Sequence, residues 1–290
     1  MALRTLTIEA TNEAYHETFL RFVPRVFPID FRPWYAIGGW NEAYTVFGLF
    51  DGDEMIAAAA RLHMECVVHG ETVMAYQLGA VGVLPALRGR GHGRAVLSYL
   101  LEATPRDAAV FLFGNPTVVD FYLRFGFKRV HEHAFAANVD IAPSPHRLHK
   151  LSREQLGHHH VVARVGQIAE PVTITFGARD YGHLAAWYLS NDYADGFYYA
   201  PAEDAVIVAQ QRGDNLHLLE ILAPEEVDLT TLLPQVIDAP VRTLSLGFTP
   251  DRYVLNARVV GRADEEAPLF IRGPLALGER PFLFPALART

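Results

Sequence analysis

Val81-Gly82-Val83-Leu84-Pro85-Ala86-Leu87-Arg88-Gly89-Arg90-Gly91-His92-Gly93-Arg94 is the stretch on which the reading of this chain turns. It joins a segment of strand character, 73–83, to one of helical rhythm, 91–103, in which Ala95, Val96, Tyr99 and Leu100 share a face. Glycines at 89, 91 and 93 leave the inner wall of the connection without side chains. Consecutive backbone N–H groups can then converge on an anion at the helix N-terminus, in a cradle of pyrophosphate size. The dinucleotide fingerprint fails because Arg94 stands in place of its third glycine, and the Walker loop fails because no Gly-Lys-Ser/Thr follows. Taken alone, the glycines equally fit a tight turn.

A second motif lies downstream. A buried strand is expected over 109–113, then Asn115, then a helix over 116–125 carrying Phe121-Tyr122-Leu123-Arg124-Phe125-Gly126-Phe127. The pair Val-x-Pro-x-x-Arg-Gly-x-Gly-x-Gly and Asn…Phe-Tyr-x-Arg-x-Gly-Phe resembles the acetyl-CoA loop and the following helix of the GNAT superfamily of acyl-CoA N-acyltransferases. Arg124 replaces the commoner lysine and keeps its charge. The two motifs span 81–127, and the flanking element order extends the resemblance over about 1–140. It implies an α+β fold with a mixed, splayed central sheet flanked by helices.

The resemblance also implies roles. The main chain at Val81, Gly82 and Val83 would take the pantetheine arm as an added strand. The N–H groups of Arg88, Gly89, Arg90, Gly91, His92, Gly93 and Arg94 would hold the pyrophosphate, with Arg88 and Arg94 side chains near the phosphates. Asn115 would serve polar groups of the acyl-CoA cosubstrate or simply cap the helix. Acyl transfer to an amine releases a thiolate that needs a proton, and Tyr122 is the family-matched acid; a phenol of ordinary pKa near 10 can supply it where water is excluded. The expected reaction moves an acetyl group from acetyl-CoA to a primary amine by direct attack. The alternative is a noncatalytic acyl-CoA-binding sensor that keeps the fold and has lost the chemistry.

No base follows as directly. His63 and Glu65 share one strand face, and Glu54, Glu71 and Gln77 are further polar strand residues. In one related multidomain group the chain's own C-terminal carboxylate enters the site; here Thr290 follows the apolar tail Pro281-Phe282-Leu283-Phe284-Pro285, which must dock somewhere. Phe31, Trp34, Tyr35 and Trp40 cluster among glycines, and could wall an acceptor pocket or fill a seam between two halves. The 13 histidines include His131-x-His133, His146-x-x-His149 and His158-His159-His160, but three or four convergent ligands are not in view and no metal is expected.

Composition agrees. The 290 residues suffice for two domains, and 25 basic against 33 acidic side chains exclude a broadly basic nucleic-acid binder. The single cysteine, Cys66, cannot form an intramolecular disulfide and suits a reducing cytoplasm. No segment reads as a membrane span, so no membrane partner is expected; the resemblance implies a small-molecule or peptide amine as acceptor, and the acidic balance implies no nucleic acid. Pro143 and Pro145 mark a connector over 140–160, with a short helix at 152–156 stopped by Gly157. The boundary therefore falls near 150, giving a catalytic domain over 1–150 and a second domain over 151–290. Net charge divides unevenly, −1 in the first and −7 in the second. The second half repeats the order strand, Gly-Asp turn, strand, helix, strand over 205–246, as expected of a duplicated unit that has lost its glycine loop.

Overall fold

The computed structural model describes residues 3–253, 255–263 and 266–290. In chain order the first elements are β1 (Leu3–Ile8), α1 (Glu13–Val26), α2 (Arg32–Ala36), β2 (Tyr44–Asp51), β3 (Glu54–Val68) and β4 (Glu71–Val83). α3 (His92–Glu102), β5 (Ala109–Phe113), α4 (Val119–Leu123) and β6 (Lys128–Val130) follow. Then come β7 (His133–Ile141), β8 (His149–Lys150), α5 (Leu156–Ile168), β9 (Phe176–Ala178), α6 (Gly182–Ser190), β10 (Phe197–Ala200) and β11 (Ala205–Arg212). The last are β12 (Asn215–Leu222), α7 (Leu229–Leu232), β13 (Val241–Leu246), β14 (Arg258–Arg262) and β15 (Leu269–Arg272).

Local chemistry accounts for most of these elements. α1 buries His16, Phe19, Leu20, Phe22 and Val23, one stripe of a 3.6-residue period, and ends at Phe27, whose extended backbone suits the proline that follows. β2 and β3 meet across the two-residue turn Gly52-Asp53, with positive φ at Gly52 alone as in a type II′ hairpin, and β3 and β4 across His69-Gly70, with positive φ at both residues as type I′ requires. β2 is buried along nearly its whole length because α1 and α3 pack near it and strands flank it on both sides.

Two sheets result, of mixed strand direction and flanked by helices. The first has the order β1-β2-β3-β4-β5-β15-β6, with β9 added beside β3; the second has the order β14-β7-β13-β12-β11-β10-β8. In the first, β4 runs parallel to β5 from Ala75↔Ala109 to Leu78↔Leu112, and the pairing then stops. In the second, β12 runs parallel to β13 from Asn215↔Thr243 to Leu218↔Leu246, and stops likewise. Each inner strand carries a bulge against its hairpin partner, opposite Ala58/Ala60 in one and Val208/Ala209 in the other. The repeat read in the sequence is thus a repeat of topology, two GNAT-like sheets in one chain.

The halves are more entangled than a cut near 150 suggests. β7 leaves the first sheet and lies between β13 and β14, while β15 crosses back to lie between β5 and β6. The single strand expected over 128–139 is accordingly two strands, β6 and β7, in different sheets. The helix expected over 116–125 is a 3-10 turn at Pro116–Val118 followed by α4. Gly157 does not stop a helix: it sits in the first turn of α5, which runs on through the three histidines. No helix of the described residues is long and apolar enough to cross a membrane.

Candidate active site

Where β4 and β5 part, a cavity of about 1070 Å³ opens, and it carries most of the residues singled out from sequence. Val81, Gly82 and Val83 line it along β4; Arg88, Gly89, Gly91, His92, Gly93 and Arg94 line it at the loop; Asn115 and Tyr122 line it from the far strand and α4. Arg90 is exposed in the same loop but does not line the cavity. Gly89 and Gly91 have φ of +77° and +85°, a conformation costly for any residue with a Cβ. Gly91 is the N-cap of α3, and no acidic side chain occupies the first turn. The N–H groups there are open to an anion, to which the 11-residue helix adds its dipole. The cradle fits a diphosphate, with Arg88, Arg94 and Arg124 as cations around it.

Tyr122 is 6% exposed, held edge-on by Phe121 and Phe127 and tilted against Phe270 at ring separations of 5.2, 6.1 and 5.4 Å. Burial pushes its phenol up to about 12. Its hydroxyl has no hydrogen-bond partner among the described residues, which leaves it free to serve a group in the cavity. Asn115 Oδ1 accepts from Thr117 N (2.9 Å) and Thr117 Oγ1 (2.7 Å), so the capping role is realised and only its –NH₂ remains for a ligand carbonyl.

None of the side chains considered as base lines the cavity. Glu54 pairs with Arg25 (2.8 Å), Glu65 with Arg179 (3.6 Å), His63 stacks on Tyr76, and Glu71 is exposed on the hairpin. Gln77 is fully buried and binds the tail: its Nε2 donates to Ala288 O (2.8 Å), and its Oε1 accepts from Thr290 N (2.6 Å). A second buried group, Glu132, accepts from Phe284 N (2.8 Å) and from Arg289 Nη2 (3.0 Å). Tyr188 Oη donates to Arg289 O (3.1 Å), and the Arg289 guanidinium lies 4.2 Å over the Phe113 ring. The apolar tail therefore docks at the splay, and Arg289 and Thr290 form part of the cavity wall. A Cβ built on Gly79 would come within 2.8 Å of Thr290 Oγ1, which is why that strand position is bare.

The aromatic cluster divides. Trp34 Nε1 donates to His183 O in the second half (2.9 Å) and Phe31 meets Trp187 edge-on at 6.3 Å, so both fill the seam and also line the cavity. Trp40 stacks on His16 and Tyr35 approaches His16 Nδ1 (3.2 Å); neither lines the cavity. Sequence reasoning missed Leu184, Trp187, Tyr188 and Asp192, which the second half contributes from α6 and just beyond. The signal was present: Leu184-Ala185-Ala186-Trp187-Tyr188-Leu189 is apolar all round, the mark of a helix buried on several sides.

The family model described as Acetyltransferase (GNAT) domain matches residues 7–130. No curated protein matches the sequence with significance. Among solved structures, the chain resembles a probable N-acyltransferase from Enterococcus faecalis (TM-score 0.56, 13% identity, 94% of this chain and 73% of that one). It also resembles a GCN5-related N-acetyltransferase from Kribbella flavida (0.55, 20%, 93% and 71%) and Eis1 from Mycobacterium abscessus (0.56, 16%, 92% and 73%). These likenesses concern the fold and extend over both sheets. Residues 7–130 are thus a GNAT acetyltransferase domain, and the fold likeness extends beyond it.

Proposed function

We propose that the protein is an N-acetyltransferase that moves an acetyl group from acetyl-CoA to a primary amine by direct attack. The observation that carries this reading is one continuous cavity, running from the glycine loop, past Tyr122 at the parted strands, to an arm walled by both halves of the chain. The open N–H groups at Gly91–Gly93 and the nearby arginines would hold the diphosphate, and the exposed edge of β4 at Val81–Val83 would align the arm that carries the thioester. As the C–N bond forms and the C–S bond breaks, Tyr122 Oη gives its proton to the departing sulfur; the amine's proton goes to solvent, which also restores the phenol. Burial suits Tyr122 to this, because a phenol pushed up to about 12 is fully protonated at neutral pH.

The second half is read as a degenerate copy that caps the acceptor arm and binds no cosubstrate. Between β12 and β13, residues 223–240 hold no Arg-x-x-Gly-x-Gly sequence. The place where those strands part is taken by the chain itself, with Ala286 N donating to Gly247 O (3.0 Å). A reducing cytoplasm is the proposed location, in keeping with a lone, free and buried Cys66. The test is thiol release from acetyl-CoA with a panel of primary amines, each product identified by its mass. Amine-dependent release with one acetyl added per product supports the reading; saturable acetyl-CoA binding with no release for any amine would replace it with the sensor.

A further inference from the structure

The acceptor end of the cavity differs in chemistry from the cosubstrate end. Arg88, His92, Arg94 and Arg124 all belong to the latter. The acceptor end is walled by Phe31, Trp34, Tyr44, Leu184, Trp187 and Tyr188, and holds one side-chain carboxylate, Asp192, and one guanidinium, Arg289. Arg289 is already neutralised by Glu132 at 3.0 Å. Asp192 is exposed at the mouth, with no cationic partner within 4 Å among the described residues.

We infer that the acceptor is a monoamine on a compact aromatic or branched apolar body, recruited as its ammonium form by Asp192, and not a polycation; this rests on the acetyl-transfer reading above. A polycation would bring several ammonium groups against a largely apolar wall on which Asp192 is the one acidic side chain, and an unpaired charge in such surroundings is strongly disfavoured. One ammonium meets Asp192 and the faces of the aromatic rings, and its apolar body displaces water from the rest. The same wall explains how the arm works without a side-chain base from the strands. Desolvation lowers the pKa of an ammonium, so the amine sheds its proton to water as it moves from the mouth inward and arrives neutral at the thioester. The −7 charge of residues 151–290 is therefore not a guide to the substrate, because one acidic side chain of that half lines the cavity.

The experiment compares 2-phenylethylamine and cyclohexylmethylamine with spermidine and kanamycin, at saturating acetyl-CoA. The expected kcat/KM is at least about ten-fold higher for the two apolar amines, the effect of one well-buried ring or cation–π contact. Asp192→Asn, at an exposed position, should raise KM for 2-phenylethylamine about five-fold and leave KM for acetyl-CoA unchanged. In parallel, Trp34 and Trp187 report amine binding by fluorescence without turnover: saturable change with 2-phenylethylamine and none with spermidine is expected. Preference for spermidine or kanamycin in rate or in fluorescence overturns the inference, and an unchanged KM in Asp192→Asn overturns the role of that residue. If no amine releases thiol, the acetyl-transfer reading fails, and the fluorescence ranking still decides the acceptor class.

Discussion

Replacing Tyr122 by phenylalanine removes one oxygen and nothing else from the wall where the strands part. The ring stays clamped by Phe121, Phe127 and Phe270, and the lost hydroxyl had no protein partner among the described residues. Fold stability should hold, because the hydroxyl faces the cavity and its removal breaks no hydrogen bond within the protein. Turnover should not hold. A positioned acid contributes about 10²–10⁴-fold to a rate, so kcat for amine-dependent thiol release should fall by that factor, about 3–5 kcal/mol of barrier. Acetyl-CoA affinity should stay constant, since the phenol touches the reacting end and not the diphosphate. With the phenol pushed up to about 12, the wild-type rate should show no descending limb from this group through pH 10. Stopped-time assays across pH 6–10, with a thermal melt of each protein, give all of these quantities. Unchanged kcat in a folded variant would refute the acid role; a lowered melting temperature with proportionate loss of acetyl-CoA binding would show that Tyr122 is a packing residue.

Gly91→Ala should cost about 1–2 kcal/mol of stability, because its φ of +85° is the left-handed region, and should weaken acetyl-CoA binding in calorimetry. Gly157→Ala is the contrast: an added Cβ meets nothing within 4 Å in the first turn of α5, so about 0.5–1 kcal/mol of stabilisation is expected in urea unfolding. Glu220 is fully buried on β12, and burial pushes its carboxyl up to about 8. The folded state then holds the proton more tightly than the unfolded one, so this contribution is complete below the ordinary carboxyl pKa and is lost as pH rises to 8. By pH 7 the loss amounts to about 3 kcal/mol; Glu220→Gln should flatten the slope of urea midpoints between pH 5 and 7.5, and an unaltered slope would contradict the assignment. Cys66 is wholly buried and its thiol is pushed up to about 12, so iodoacetamide should modify the protein only after denaturation, as mass spectrometry would show.

The glycine-loop end of the cavity was readable in the sequence because its geometry is local. Glycines at 89 and 91 are demanded by backbone angles within one loop, and Asn115 and Tyr122 follow one strand away. The opposite end was not readable in the same way, since it is assembled from α6 and the tail, about 70 and 170 residues beyond Tyr122 in sequence. No periodicity announces that β7 and β15 change places between sheets; each reads as an ordinary strand, and only the long-range pairing decides its neighbour. Gly157 misled for a physical reason as well: a glycine can end a helix, but in the first turn of one it costs only about 1 kcal/mol, which the burial of His159, Val162 and Val165 offsets. Gln77 reads in the sequence as a polar strand residue weighed for the base, and Glu132 falls inside the strand expected over 128–139; the burial of both makes sense only once the tail lies against them.

Calorimetric titration of the whole chain with acetyl-CoA tests the central claim most directly, because the bare main-chain cradle occurs in one of the two sheets. Saturation at one molecule per chain, weakened in Gly91→Ala, is the expected outcome. Absence of binding by the folded protein, or saturation at two per chain, would contradict it.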